Sequence, residues 1–267
     1  MDRVWGDIAH QNGSTLILAA ILYSFQMYAD FSGYSDMAIG VGKLIGFKIA
    51  DNFKTPFFAL NISDYWRRWH ISLTSWLTDY VFMPLNIKFR DWDNWGMILA
   101  IIINMVLVGL WHGANWTFAA FGLYHGLLFV PLILSGSFMK KSKLQTNRLG
   151  LPILKDFGRM VLTFTLVTIG LILFRAPSIS AAWEVRCAIC SRTLLSVPYM
   201  LFAQDMTFMA IGILVMMTVE WLQRNENHGL VLNRMNSRVF RYVVYIVLIT
   251  MILWKVDSGD AFIYFQF

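Results

Sequence analysis

Apolar residues run along this chain in stretches too long and too unbroken for the surface helices of a soluble domain. Five of them, at about 14–30, 95–112, 116–135, 159–175 and 205–222, reach the roughly 17 to 25 residues a helix needs to cross a bilayer, and a sixth lies at about 240–255. The segment ahead of the first is short, mixed in charge and without a small-residue cleavage site, which predicts no removable signal peptide. Two polar interruptions break the pattern. After the first span comes "YADFSGYSDMAIGVGKLIGF", where Asp30 and Asp36 flank a Ser-Gly pair. Carboxylates at membrane depth are costly unless they face protein or water. They predict either a broken helix lining a polar interior or two helices that the carboxylates cap at the interface.

The second interruption is "FKTPFFALNISDYWRRWHISLTSWLTDYVFMPL". Ser63 is a candidate N-cap with Asp64 behind it at the positive end of the dipole, and helix is expected from there to about Met83. Trp66, Trp69, Leu73, Trp76, Leu77 and Tyr80 follow helical spacing, with Arg67, Arg68 and His70 set around that stripe. Such a segment is too polar to span freely. It predicts an interfacial amphipathic helix whose arginines meet lipid phosphates, the reading its physics favours, or a re-entrant wall of a binding site with Arg67 and Arg68 available to an anionic ligand.

Composition confirms the class. Of 267 residues, 57% are hydrophobic and 14% charged, and mean hydropathy is +0.55. The net charge of +6 suggests nucleic acid only until its distribution is read. Lys140, Lys141, Lys143, Arg148, Lys155 and Arg159 crowd one loop, and Arg224, Arg234, Arg238 and Arg241 another two spans later. Both are expected on the cytoplasmic side, which puts residues 176–204 and the terminal "VDSGDAFIYFQF" outside. Cys187 and Cys190 form a lone CxxC without further ligands nearby, read as incidental thiols.

Candidate chemistry centres on "GLWHGANW", where His112 ends an apolar run in which only Asn104 is polar. An ionisable group at such a place suggests function, and a neutral imidazole in a polar pocket makes a good general base. The alternative is a histidine bonded to a carbonyl within an aromatic belt at the headgroups. His125, on the next span, reads as a packing or interhelical hydrogen-bonding residue. His70, His112 and His125 lack the close spacing of a helical metal pair, so no metal is expected.

Three ordered motifs, "FQMYADFSGYSDMAIGVGKLIGF", "DYWRRWHISLTSWLTDYVFMPL" and "GLWHGANWTFAAFGLYHG", resemble the membrane-bound O-acyltransferase (MBOAT) family, in its alginate O-acetyltransferase-like branch. The late "LFRAPSISAAW" and "FIYFQF" fit the same pattern. Asn86, Ile87 and Lys88 stand where many relatives carry a Gly-Gly-Asn stretch, and relatives resemble longer chains with further spans ahead of the first motif. The resemblance implies an all-α polytopic membrane bundle of about six transmembrane helices with re-entrant or interfacial helices, residues 1–267 forming the C-terminal portion of one membrane domain. It implies acetyl transfer from a cytoplasmic thioester such as acetyl-CoA, used as substrate with no bound cofactor, to a hydroxyl; the alternative reading is a non-catalytic membrane channel or scaffold, or an inactive fragment of such an enzyme. His112 matches the catalytic histidine and His70 the second one. The resemblance makes Arg67, Arg68, Trp69, Asn115, Trp116 and Asp36 candidate substrate contacts, Asn115 and Trp116 as oxyanion donors by proximity. The implied surroundings are the lipid bilayer of a bacterial inner membrane, a periplasmic acetyl-transferring partner protein and a polysaccharide acceptor, with no nucleic acid.

Overall fold

The computed structural model describes residues 2–198, 203–226 and 237–254. Among the described residues the ordered elements are helices: α1 (Asp2–Gly6), α2 (Gly13–Leu44), α3 (Ile62–Trp66), α4 (Ile71–Leu77), α5 (Met83–Lys88), α6 (Asp93–Trp111), α7 (Trp116–Leu134), α8 (Leu154–Arg175), α9 (Ile179–Ile189), α10 (Ala203–Gln223) and α11 (Arg238–Trp254). A π-turn over Thr78–Phe82 joins α4 to α5. Five helical stretches, α2, Arg90–Trp111, α7, α8 and Met206–Gln223, are long and apolar enough to cross a membrane. The sixth expected span is helical as α11. Arg234 and the terminal "VDSGDAFIYFQF" lie outside the described residues.

The helix α2 overturns the break and the caps expected at Asp30 and Asp36, although Asp36 does border a polar interior. It runs through the Ser-Gly pair without a break, so neither carboxylate caps a helix and no second helix begins there. Tyr28, Phe31, Ser35, Ile39 and Gly42 are all buried, and this helical period of packed positions carries straight across Gly33. Asn12 caps the start by accepting from the Thr15 amide at 2.8 Å. Gly46, at φ +84°, ends the helix, with the Phe47 amide donating back to the Gly42 carbonyl at 2.8 Å.

The expected helix from Ser63 to Met83 is also corrected. It is broken at His70, which takes the left-handed conformation at φ 44° and ψ 53° and precedes α4. The kink is clamped by the chain before it. The Ile71 amide donates to the Asn52 carbonyl, the Ser72 amide to Asn52 Oδ1, and the Lys54 amide to the Arg68 carbonyl. The cap of α3 is Asn61 rather than Ser63: its side chain accepts from the Asp64 amide at 2.8 Å and donates to Ser142 Oγ at 2.9 Å. Ser63 instead donates to the Phe138 carbonyl. Replacement of Asn61 by alanine is expected to cost about 1 kcal/mol, read as a lower melting temperature in detergent; an unchanged melting temperature removes the cap from the account.

The helices α2, α6, α7 and α8 gather around this kinked segment. Ile62 through Trp66 are buried without exception, as are Trp69, Leu73 and Leu77, whereas Trp76 and Tyr80 are exposed. The interfacial reading therefore fails for the first half of the segment, which is inside the protein. The pair α6 and α7 is the tightest, because Gly109, Gly122 and Gly126 bring the backbones together. A Cβ at Gly109 would stand 2.0 Å from the Phe118 carbonyl oxygen, and one at Gly122 2.2 Å from that of Met105. Small residues let helices approach closely where lipid offers no hydrophobic drive for them to associate. Met37, Val41, Leu110, Leu127 and Leu162 face outward on these helices, as a bilayer-exposed surface requires.

Candidate active site

The kinked segment walls two cavities. The larger, of about 530 Å³, is polar and is bounded by the C-terminal half of α2, by residues 51–55, by α3 and by the ends of the two basic loops. Lys141 and Arg224 reach it from those loops, which stand on one rim as the charge pattern requires. The opposite end of α2 lies beside residues 192–197, where the Gly13 amide donates to Thr193 Oγ1 and Asn12 Nδ2 to the Val197 carbonyl.

Adjacent arginines have different duties in the polar cavity. Arg68 Nε lies 3.0 Å from Asp64 Oδ1, and its guanidinium also donates to Thr55 Oγ1. Asp64, nearly buried, uses its other oxygen to accept from the Leu60 amide. Arg68 is thus tied into the turn that holds α3. Arg67 is exposed to the cavity and donates to the neutral Ser63 Oγ at 2.8 Å, so its charge is left available to an anion. Asp36 lines the same cavity, as does Glu220, whose carboxylate accepts from the Tyr28 hydroxyl. Tyr28 and Glu220 were not singled out in the sequence, although a glutamate within "MAIGILVMMTVEWLQ" is the kind of intramembrane charge that signals a polar interior.

The smaller cavity, of about 30 Å³, brings together His70, His112 and Trp69 with His125, against apolar side chains of α2, α7 and α8. His70 arrives on the kink. Its ring packs edge-on to Phe31 at 4.8 Å and to Trp111 at 5.8 Å between centroids. Burial and the neighbouring His112 push the His70 imidazole down to about 4, so it is neutral at neutral pH. His112 sits at the end of α6, where its amide closes on the Gly109 carbonyl, and its ring packs edge-on to Phe174 at 4.9 Å. His125 is fully buried and accepts at Nδ1 from Trp66 Nε1 at 3.3 Å, which fixes the proton of the neutral ring on Nε2. That bond is the interhelical role expected of it, and its place on the cavity wall is additional.

Two candidates stand elsewhere. Asn115 caps α7, accepting from the Thr117 amide at 3.1 Å, and Trp116 is 82% exposed. Neither lines either cavity. Cys187 and Cys190 are exposed and free on α9 and its cap. Among the described residues no three His, Cys, Asp or Glu side chains are grouped to hold a metal ion.

Fold and site together describe a multi-pass helical membrane protein that gathers His70, His112 and His125 next to a charged cavity. Residues 6–174, which carry all three, match the model of the MBOAT, membrane-bound O-acyltransferase family, and the chain belongs to that family. It is 40% identical over 178 residues to the probable alginate O-acetylase AlgI of Azotobacter vinelandii, covering 65% of this chain and 32% of that protein. It is 37% identical over 172 residues to the peptidoglycan O-acetyltransferase of Helicobacter pylori, covering 63% and 30%. Similarity extends to the teichoic acid D-alanyltransferase of Bacillus subtilis, 34% identical over 157 residues and covering 57% and 39%. The matched stretch thus spans roughly a third of the length of these curated relatives.

Proposed function

We propose that this chain carries the transfer centre of a membrane O-acyltransferase that moves an acetyl group from a cytoplasmic thioester, acetyl-CoA, to a hydroxyl for O-acetylation of an exopolysaccharide or cell-envelope glycan. The observation that carries this reading is the meeting of His70, from the kink, and His112, from the α6–α7 turn, on one enclosed cavity that shares its α3 wall with a charged one. The donor's phosphates meet Arg67 in the polar cavity, and its thioester is presented toward the histidines. His112 takes the proton of the attacking hydroxyl as the oxygen bonds to the thioester carbonyl carbon. The carbon–sulfur bond then breaks, and the sulfur leaves as thiolate to be protonated to the thiol. His70, held neutral by burial, orients the donor.

The basic loops support a polar cavity at the cytoplasmic face of a bacterial inner membrane. The names of the relatives support a polysaccharide acceptor beyond the opposite face, reached through a periplasmic partner that completes the acetylation. The test is transfer of labelled acetyl from acetyl-CoA in membranes containing this chain and the candidate partner. Label that enters the glycan fraction only when the chain is present supports the reading, and label independent of the chain defeats it.

The two arginines separate recognition from structure. Arg67→Ala is expected to raise the KM for acetyl-CoA about tenfold, the loss of roughly 1.4 kcal/mol of charge-assisted bonding, with the melting temperature unchanged. Arg68→Ala is expected instead to lower the melting temperature, because Asp64 is left buried without its partner. The same phenotype in both variants overturns the division.

A further inference from the structure

The 30 Å³ cavity is small for a substrate site, and its size is informative. A cavity needs about 10 to 15 Å³ to hold one water, so this one has room for about two non-hydrogen groups. We propose that it is a gauge for the acyl group, admitting two carbons and rejecting longer or positively charged acyl groups, with Val167, Leu171 and Phe121 as the walls that set the limit. This rests on the reading of His112 as the transfer centre, since the carbonyl carbon must come within reach of that ring and the rest of the acyl group must then lie in the adjoining space.

The walls are built to hold their shape. Val167 and Leu171 are one helical turn apart on α8, Phe121 projects from α7, and all three are buried. Helix α8 is pressed against α7 at this level: a Cβ on Gly170 would stand 2.6 Å from His125 Nε2, and the Tyr124 hydroxyl donates to the Leu166 carbonyl at 2.9 Å. His125 is in turn fixed through Trp66. Each added methylene must displace a packed side chain, and pockets of this kind discriminate about tenfold or more per methylene.

Charge is excluded by the same lining. Among the described residues no carboxylate borders this cavity, whereas Asp36, Asp64 and Glu220 all border the polar one. The ammonium of an aminoacyl group would be buried there without a counter-charge. The relatives include both an O-acetylase and a D-alanyltransferase; this lining suits the first kind of acyl group.

The test is equilibrium binding of non-hydrolysable coenzyme A thioethers to the purified chain in lipid nanodiscs, which needs no turnover. S-ethyl-coenzyme A is expected to bind at least tenfold more tightly than S-butyl-coenzyme A. S-propyl-coenzyme A is expected to bind more tightly than S-(2-aminoethyl)-coenzyme A, which matches it in size but carries an ammonium. Val167→Ala and Leu171→Ala are expected to bring the ethyl and butyl affinities together, Val167→Ala serving as the milder cut should Leu171→Ala unfold. Equal wild-type affinities for ethyl and butyl, or an unaltered ratio in a folded variant, overturn the gauge while leaving the transferase standing. Aminoethyl binding equal to propyl overturns the charge exclusion. Failure of every thioether to bind sinks the donor reading, and the gauge with it.

Discussion

His112→Ala is expected to reduce acetyl transfer by about 100- to 10,000-fold, the range over which a positioned general base contributes, at unchanged protein level in the membrane. The helix end beneath the ring closes through backbone hydrogen bonds. The local closure is made by main chain, with the His112 amide on the Gly109 carbonyl and the Gly113 amide on Leu110, and α7 begins from its own cap at Asn115. What the substitution removes is an imbricated imidazole packed on Phe174 and facing the cavity it shares with His70. The measurement is initial rate of labelled acetyl incorporation in membranes matched by immunoblot, with His112→Gln beside it to keep bulk without the base. Wild-type rates in both variants would remove His112 from the chemistry. A lost rate accompanied by loss of the protein from the membrane would mark the ring as structural.

Gly122→Ala is expected to lower stability by about 1 to 3 kcal/mol, the ordinary range for forcing extra bulk into a packed interior, and to take activity with it. The added methyl would meet the Met105 carbonyl oxygen at 2.2 Å and the Val106 Cα at 2.7 Å. These are backbone atoms, so no side chain can rotate away and α6 must shift bodily. His112 rides on the end of α6, and a small displacement there misaligns it with its cavity. Gly33→Ala is the matched control. That glycine is also in the interior of a helix but has open space around its missing Cβ, so alanine there is expected to be neutral or to stabilise by up to about 1 kcal/mol. Melting temperatures of the two variants in detergent decide the matter. If Gly122→Ala melts with the wild type, the close approach is not what holds the pair.

Much of this architecture is legible in the sequence because a bilayer imposes a simple rule of length and polarity. The spans are visible as apolar runs, and His112 stands out because one works as a sentinel only against an apolar background. Other features depend on tertiary context. "SG" reads as a breaker locally, yet α2 stays continuous because packed residues on both sides of Gly33 keep one helical period. The Trp66–Tyr80 stripe reads as one helix because spacing carries no trace of the left-handed residue at His70, whose neighbours Ile71 and Ser72 donate to Asn52 while Arg68 accepts from Lys54, partners distant in pattern though near in sequence. Arg67 and Arg68 look interchangeable in a string. Only the position of the Asp64 carboxylate assigns one to the turn and leaves the other to the cavity. Asn115 sits beside the histidine in sequence, but capping takes its side chain for α7.

The bond between Tyr28 and Glu220 joins positions 192 residues apart, and Arg224 completes the same rim. Every described residue that lines the histidine cavity, by contrast, lies at or before Phe174. During synthesis the two compartments therefore mature in a fixed order. The described lining of the histidine chamber is present once α8 has left the ribosome, while the charged chamber waits for α10. A nascent chain interrupted between them would hold its histidines beside a charged chamber that still lacks the Glu220 and Arg224 side of its wall.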